Sequence, residues 1–295
     1  MISDRAIERL RAAAAWPALD QRYEITGTAG HGGMGTVYIA RDHVLDRDVA
    51  VKVLDVADVN GSRAARLRRE AGILARLDHP GIVPVHDAGM LEDGRAFYVM
   101  KLVKGRRLDE VIAERRPLAD RLTLFNRILD AMAFAHAHDI VHRDLKPENV
   151  MVGGFGEVYV MDWGVAQDGA ADGEQTIVGT PGFMPPEQEH GGGVDRRADI
   201  FALGALLELL VNEDPSAALR AIATKARHAD PDARYQSVEA LSADLARFRN
   251  QDPVDAYQES SSERVIRLYR RYELPTLLLL AYVVMRLALL AWRGI

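Results

Sequence analysis

The 295-residue chain contains no cysteine. Disulfides, thiolate metal sites and cysteine nucleophiles are therefore excluded, and a reducing compartment is permitted. Aromatic residues make up only 6% and there is no excess of positive charge, the formal net charge being -6. Nucleic-acid binders usually carry a basic face, so nucleic acid is not expected as a partner. The N-terminus lacks a secretory signal, because residues 1–19 carry Asp4, Arg5, Glu8, Arg9 and Arg11 without a sustained apolar run. What is present is a globular composition, 48% hydrophobic and 27% charged, which argues for a packed core and against general disorder. One long apolar run stands out, residues 274–292, interrupted only by Arg286.

Periodicity divides the chain. Residues 2–15 read as a short amphipathic helix ending before Pro17. In 23–54 the alternation of Val37, Ile39, Val49, Val51 and Val53 predicts strands with glycine-rich turns. A helix is expected over 62–77, stopped at His79-Pro80-Gly81, and strands return over 82–103. Beyond Gly105 the pattern is helical: Leu122, Phe125, Leu129, Met132, Ala133 and His136 recur three and four apart, and further helices are expected near 200–211, 216–228 and 237–248. The reading is an α+β chain with a β-rich lobe over 23–103 and a helical lobe over 104–250. An amphipathic extension (1–22) precedes them, and a polar linker with a basic segment (251–273) follows.

Gly30-His31-Gly32-Gly33-Met34-Gly35 places glycines where backbone amides can approach phosphates. A dinucleotide fold wants a helix directly after such glycines, but here Thr36-Val37-Tyr38-Ile39 reads as a strand. Lys52 alternates with Val51 and Val53 and so points to the opposite face, where an ammonium can meet phosphate oxygens. Glu70 is the candidate to hold it, three residues after Leu67 and four before Leu74 on the apolar side of its helix.

His142-Arg143-Asp144-Leu145-Lys146-Pro147-Glu148-Asn149 matches the catalytic loop of protein kinases. The chain resembles the bacterial eukaryotic-like (Hanks-type) serine/threonine kinases over about residues 23–249. The resemblance implies a bilobal protein-kinase fold and phosphoryl transfer from ATP, with Mg2+ as cofactor and Mn2+ as a substitute. It implies that Asp144 accepts the substrate hydroxyl proton and that Lys146 stabilises the transferring phosphoryl. Asn149 and Asp162 bind the metal, and Lys52, paired with Glu70, contacts the phosphates. Gly30, Gly32, Gly33 and Gly35 cover the phosphates; Val37, Ala50, Met100, Lys101 and Val103 line the adenine slot, with Lys101 replacing a common glutamate. Asp162-Trp163-Gly164 stands where the family has Asp-Phe-Gly, and the larger ring raises a question about packing there. Thr180 and Lys146 mark serine/threonine specificity, Thr176 is a candidate phosphosite, and Arg143 a dock for its phosphate. Asp199 supports the catalytic loop, and Arg234 pairs with Glu187. After Leu210 the family's substrate-platform helix is missing, Val211-Asn212-Glu213-Asp214-Pro215 bridging directly to the next helix. The expected partners are protein substrates and the chain itself by autophosphorylation. Two alternatives stay open, a membrane-tethered pseudokinase scaffold and a small-molecule kinase of related fold.

Two readings compete for the run 274–292, a membrane span and a helix buried in an oligomer; the favoured one is a single-pass membrane anchor with the kinase domain on the cytoplasmic side. Its ten Leu and Val residues, at roughly -0.3 to -0.6 kcal/mol each, outweigh one Arg at roughly +2.5 to +3.5 kcal/mol. Arg264, Arg267, Arg270 and Arg271 precede it, which favours a cytoplasmic side for what comes before. No further domain is expected beyond it.

Overall fold

The computed structural model describes residues 17, 19, 21–32, 35–55, 62–164, 166–168, 180–212 and 216–293. The helix expected over 2–15, Gly33, and Thr176 with its neighbours lie outside the described residues.

Strands β1 (Tyr23–Gly32), β2 (Gly35–Asp42), β3 (Arg47–Leu54), β4 (Val85–Met90) and β5 (Ala96–Lys101) form an antiparallel sheet of order β1-β2-β3-β5-β4. Helix α1 (Ser62–Arg76) connects β3 to β4. The central strand β3 is buried on both faces. Val49, Val51 and Val53 pack with Tyr23, Ile25, Ala40 and Val99 on one side. Ala50 and Leu54 join the main core, to which α1 contributes Leu67, Ile73 and Leu74. Because side chains alternate along a strand, Lys52 shares the side of Ala50 and Leu54. The glycine turn is tight: a Cβ on Gly35 would lie 2.1 Å from the Val53 carbonyl oxygen, so only glycine fits there.

The second lobe opens with β6 (Gly105–Arg107) and α2 (Leu108–Ile112), followed by the long α3 (Leu118–Ala137) and β7 (Ile140–Val141). A single 3-10 turn (Pro147–Asn149) leads to β8 (Val150–Gly153) and β9 (Val158–Val160), which complete a three-stranded sheet with β6. Short β10 (Gln167–Asp168) pairs with β7. Then come α4 (Pro186–Glu189), α5 (Arg197–Val211), α6 (Ala217–Ala226) and α7 (Val238–Arg249). Helix α5 is buried along most of its length. It lies so close to α6 that a Cβ on Gly204 would approach the Ala226 methyl to 2.7 Å. The lobes meet where Val160 N donates to the Gly81 carbonyl (2.8 Å), which sets β9 beside the chain entering β4.

From α5 the chain passes to α6 within residues 212–216, of which 213–215 lie outside the described residues. Ser216 caps α6 by accepting from Leu219 N. The segment after α7, expected as a polar linker, is held against the helical lobe. Buried Asp244 accepts from the amides of Asp255 (2.7 Å) and Ala256 (3.0 Å) and from the Tyr235 hydroxyl (2.7 Å), and Val254 is buried. Helices α8 (Ser261–Arg271) and α9 (Glu273–Arg293) follow. Among the described residues no helix is long and apolar enough to cross a membrane. Within α9 the side chains at 273–276, 279, 287, 290, 291 and 293 lie outside the described residues.

Candidate active site

A cleft of about 460 Å3 opens between the lobes. It is lined above by Gly30, His31, Gly35, Val37, Lys52 and Met100, and below by Asp144, Lys146, Asn149 and Asp162. The residues that the sequence singled out from far-apart segments thus meet in one space. Ala50 pairs with Met100 across β3 and β5, but Ala50, Lys101 and Val103 are not among the residues lining the cleft.

The upper wall is organised by Lys52. Its ammonium donates to Glu70 Oε1 (2.7 Å) and Oε2 (3.0 Å), and to Asp162 Oδ1 (3.3 Å) across the cleft. Glu70 is nearly inaccessible and Lys52 is buried. Burial works against the charge on Lys52, but Glu70 and Asp162 outweigh it and hold the ammonium above its ordinary pKa. Sequence reasoning missed a second partner of Glu70: the Tyr98 hydroxyl donates to Oε1 (2.9 Å). Burial first, and then the adjacent Glu70 charge, push the Tyr98 phenol well above its usual value, so it stays a donor. The register of β3 with β5, which pairs Lys52 with Tyr98, was the available signal.

The lower wall is a loop held from beneath. Buried Asp199 accepts from the His142 amide (2.8 Å), the Arg143 amide (2.8 Å) and His136 Nε2 (2.8 Å). Burial alone would raise its pKa; the His136 hydrogen bond and the neighbouring histidines and amides reverse this and keep it below the usual carboxylate range. Gln188 Nε2 donates to the Arg143 carbonyl (2.8 Å). Arg143 and Asp162 both adopt left-handed backbone, φ 69° and 55°. That conformation is costly for such residues and persists where surroundings enforce it.

Asp144 sits at the end of this support. Its Oδ2 accepts from Lys146 Nζ (2.8 Å) and Asn149 Nδ2 (3.2 Å), and its Oδ1 accepts from Thr180 Oγ1 (3.0 Å). Lys146 Nζ also donates to Thr180 Oγ1 (2.8 Å), closing a three-residue network. Asn149 Nδ2 is used on Asp144, including its carbonyl (2.7 Å), which leaves Asn149 Oδ1 as an available hard oxygen. Asp162 lines the same cleft and adds a carboxylate. Burial disfavours the Asp162 charge, but Lys52 more than compensates and keeps the carboxylate below its ordinary pKa. Among the described residues no three or more His, Cys, Asp or Glu cluster to hold a metal by themselves. A carboxylate and a carboxamide oxygen beside a phosphate cleft suit Mg2+, which takes few protein ligands and completes its shell with phosphates and water.

Trp163 answers the packing question raised by its size. It is fully buried, its indole N–H donates to the Val160 carbonyl (3.2 Å), and its ring lies 4.7 Å from that of His142. The larger ring is accommodated with its polar atom satisfied. Arg66 of α1, unnoticed in the sequence, reaches over to donate to the Gly164 carbonyl (2.9 Å). The Lys101 side chain turns away to Tyr159, its ammonium 4.6 Å from the ring centroid and bonded to the hydroxyl. Arg234 makes a bidentate pair with Glu187 (2.7 and 2.8 Å), with the guanidinium side chain fully buried.

Comparison with known proteins agrees with this geometry. The profile of the family described as "Protein kinase domain" matches residues 23–271. The serine/threonine-protein kinase PknB of Mycobacterium tuberculosis is 36% identical, over 81% of this chain and 44% of its own length. PrkC of Bacillus subtilis is 35% identical, over 76% of this chain and 40% of its own. The chain therefore spans less than half the length of these curated relatives. The crystal structure of the M. tuberculosis PknI kinase domain superposes with a TM-score of 0.63 at 26% identity, covering 79% of this chain and 98% of that one. On the strength of the cleft, the matched domain and these relatives, the chain belongs to the protein kinase family, among the bacterial Hanks-type serine/threonine kinases.

Proposed function

We propose that the chain transfers the γ-phosphoryl group of ATP to serine and threonine hydroxyls of proteins, its own included. The observation that carries this reading is the meeting of Lys52, Glu70, Asp144, Asn149 and Asp162 around one cleft. Phosphoryl transfer asks a protein mainly for positioning and charge neutralisation, and each of these residues has a part. Lys52, held by Glu70, which the Tyr98 hydroxyl fixes in turn, aims its ammonium at the α- and β-phosphates. Gly30 leaves room for them, since a Cβ there would meet nothing within 4 Å. Asn149 Oδ1 and Asp162 would hold Mg2+, or Mn2+ in its place. When bound, the ion supplies neutralisation of phosphate charge.

Asp144 orients the incoming hydroxyl and takes its proton. Lys146, hydrogen-bonded to Asp144, is near enough to offset charge on the transferring group. Thr180 joins the pair and fixes the substrate strand beside them, the feature that favours serine and threonine acceptors. Arg143 is half-buried, and among the described residues its guanidinium has no ion-pair partner; burial lowers its pKa against the pull of Asp199. A phosphate on the activation segment, Thr176 being the candidate, would satisfy it.

Incubating the purified full chain with radiolabelled ATP and a generic basic protein tests the reading. Label in both, absent in Asp144→Asn, is the expected result; label persisting in that variant removes Asp144 from its role. The complete five-residue set and the satisfied burial of Trp163 weigh against a scaffold that binds nucleotide without transfer.

Attachment to a membrane through α9 is the second part of the proposal. Its support is the apolar run of the sequence together with the exposure of Leu278, Leu280, Val284, Met285 and Trp292 along the helix. A full chain that stays in the supernatant without detergent overturns it.

A further inference from the structure

Every cation lining the cleft is already matched with a carboxylate. Lys52 lies between Glu70 and Asp162, Lys146 is bound to Asp144, and Arg107 pairs with Asp109 (2.8 Å) and approaches Glu148 (3.9 Å). An incoming nucleotide brings several negative charges, which these cations must share with their carboxylate partners. Among the described residues, one cation-capable side chain lining this cleft has no carboxylate in direct contact: His31, in the glycine-rich turn.

The ring of His31 is oriented by a chain of hydrogen bonds. His31 on β1 faces Thr36 on β2, and Nδ1 lies 2.9 Å from Thr36 Oγ1. Thr36 is buried, and its hydroxyl donates to Asp55 Oδ1 at 2.6 Å. A hydroxyl has one proton. Spent on Asp55, it obliges Thr36 Oγ1 to accept from His31, so in the neutral ring Nδ1 carries the proton and Nε2 carries none. In the neutral ring Nε2 is an acceptor, which repels phosphate oxygens; in the imidazolium it is a charged donor.

We infer that His31 is a pH-dependent phosphate-binding residue of the nucleotide cleft, oriented by Thr36 and Asp55. The inference rests on the kinase reading and adds a group to it. The charged groups around His31 are Asp55, through Thr36, and across the cleft Lys52, Arg107, Lys146, Asp144, Glu148 and Asp162. Protonation of His31 strengthens nucleotide binding, so the contribution of this side chain to affinity falls as pH rises. A partly exposed ion pair corresponds to a roughly three- to fivefold change in affinity.

The experiment measures dissociation constants of a fluorescent ADP analogue with Mg2+ on the full chain in detergent, from pH 5.5 to 8.5. Because phosphates titrate too, the quantity read is the ratio of His31→Gln to wild type at each pH. The expected ratio is about three to five at pH 5.5 and close to one at pH 8.5. His31→Lys should bind as tightly at pH 8.5 as at pH 5.5 relative to the same control. Thr36→Val, which frees the ring, should show a smaller pH-dependent ratio than His31→Gln. A ratio that is flat with pH, for a protein that binds nucleotide, overturns this inference alone. A wild-type protein that binds no nucleotide at any pH overturns it together with the kinase reading.

Discussion

The cleft and the C-terminal helix α9 treat their side chains in opposite ways. In the cleft the charged groups are turned inward and satisfy one another: Lys52 with Glu70 and Asp162, Lys146 with Asp144 and Thr180. Along α9 the described apolar side chains are turned outward, and Leu278 and Val284 are exposed at 63% and 59%. A charge is costly to bury and an apolar side chain costly to hydrate. The cleft resolves its cost within the fold, whereas the described side chains of α9 leave theirs uncovered. The difference teaches that the proposed chemistry draws on the two lobes and the proposed attachment on the tail, so that each should be separable from the other.

The largest expected effect falls on the cleft. Asp144→Asn should lower transfer roughly 10²- to 10⁴-fold with nucleotide affinity little changed, as read by radiolabel incorporation beside nucleotide titration. A parallel loss of binding would blur the division between positioning and chemistry. Next comes the structural pair of the helical lobe. Arg234→Ala strands Glu187, and it should cost about 3–5 kcal/mol in chemical denaturation, the usual penalty for removing one partner of a buried pair. Tyr98→Phe removes one donor to a charged acceptor; a loss of about 1.5–3 kcal/mol is expected, with a raised KM for ATP as Glu70, the partner of Lys52, is less firmly held.

Acid should act on the supports of the loop. Asp199 has a folded-state pKa below the unfolded value near 3.9. Its contribution is therefore complete above about pH 4 and disappears as pH falls through the folded value. Asp199→Asn should remove that stability at neutral pH and flatten the acid limb of an unfolding curve below pH 4; an unchanged limb would place the acid sensitivity elsewhere. The smallest effect on chemistry belongs to the tail. Deleting α9 should leave transfer by the remaining chain within about twofold while abolishing sedimentation with membranes, and a large loss of activity would show that the two regions are not separable.

Much of the site was legible because its chemistry depends on residue type at short spacing. The block from His142 to Asn149, the Asp162-Trp163-Gly164 turn, and the alternation that turns Lys52 away from Val51 and Val53 could all be read in one dimension. The residues that were missed act over long separations. Tyr98 reaches Glu70 across 28 positions, Arg66 reaches Gly164 across 98, and His136 meets Asp199 across 63. Nothing local in a tyrosine on a strand or an arginine on a helix edge announces such a partner. The segment after α7 reads as a linker because it is polar, yet Asp244 captures its amides.

The sequence by itself determined the two-lobe order of strands and helices, the kinase resemblance and the choice of candidate reacting groups, because hydrophobic period and short motif blocks are properties of neighbouring residues. Only the tertiary structure decided that Trp163 fits with its N–H satisfied, that Glu70 has two donors, that Thr180 closes on Asp144 and Lys146, and that Thr36 links His31 to Asp55. These depend on which side chains come within hydrogen-bond reach once both lobes are packed, and that distance is written nowhere along the chain.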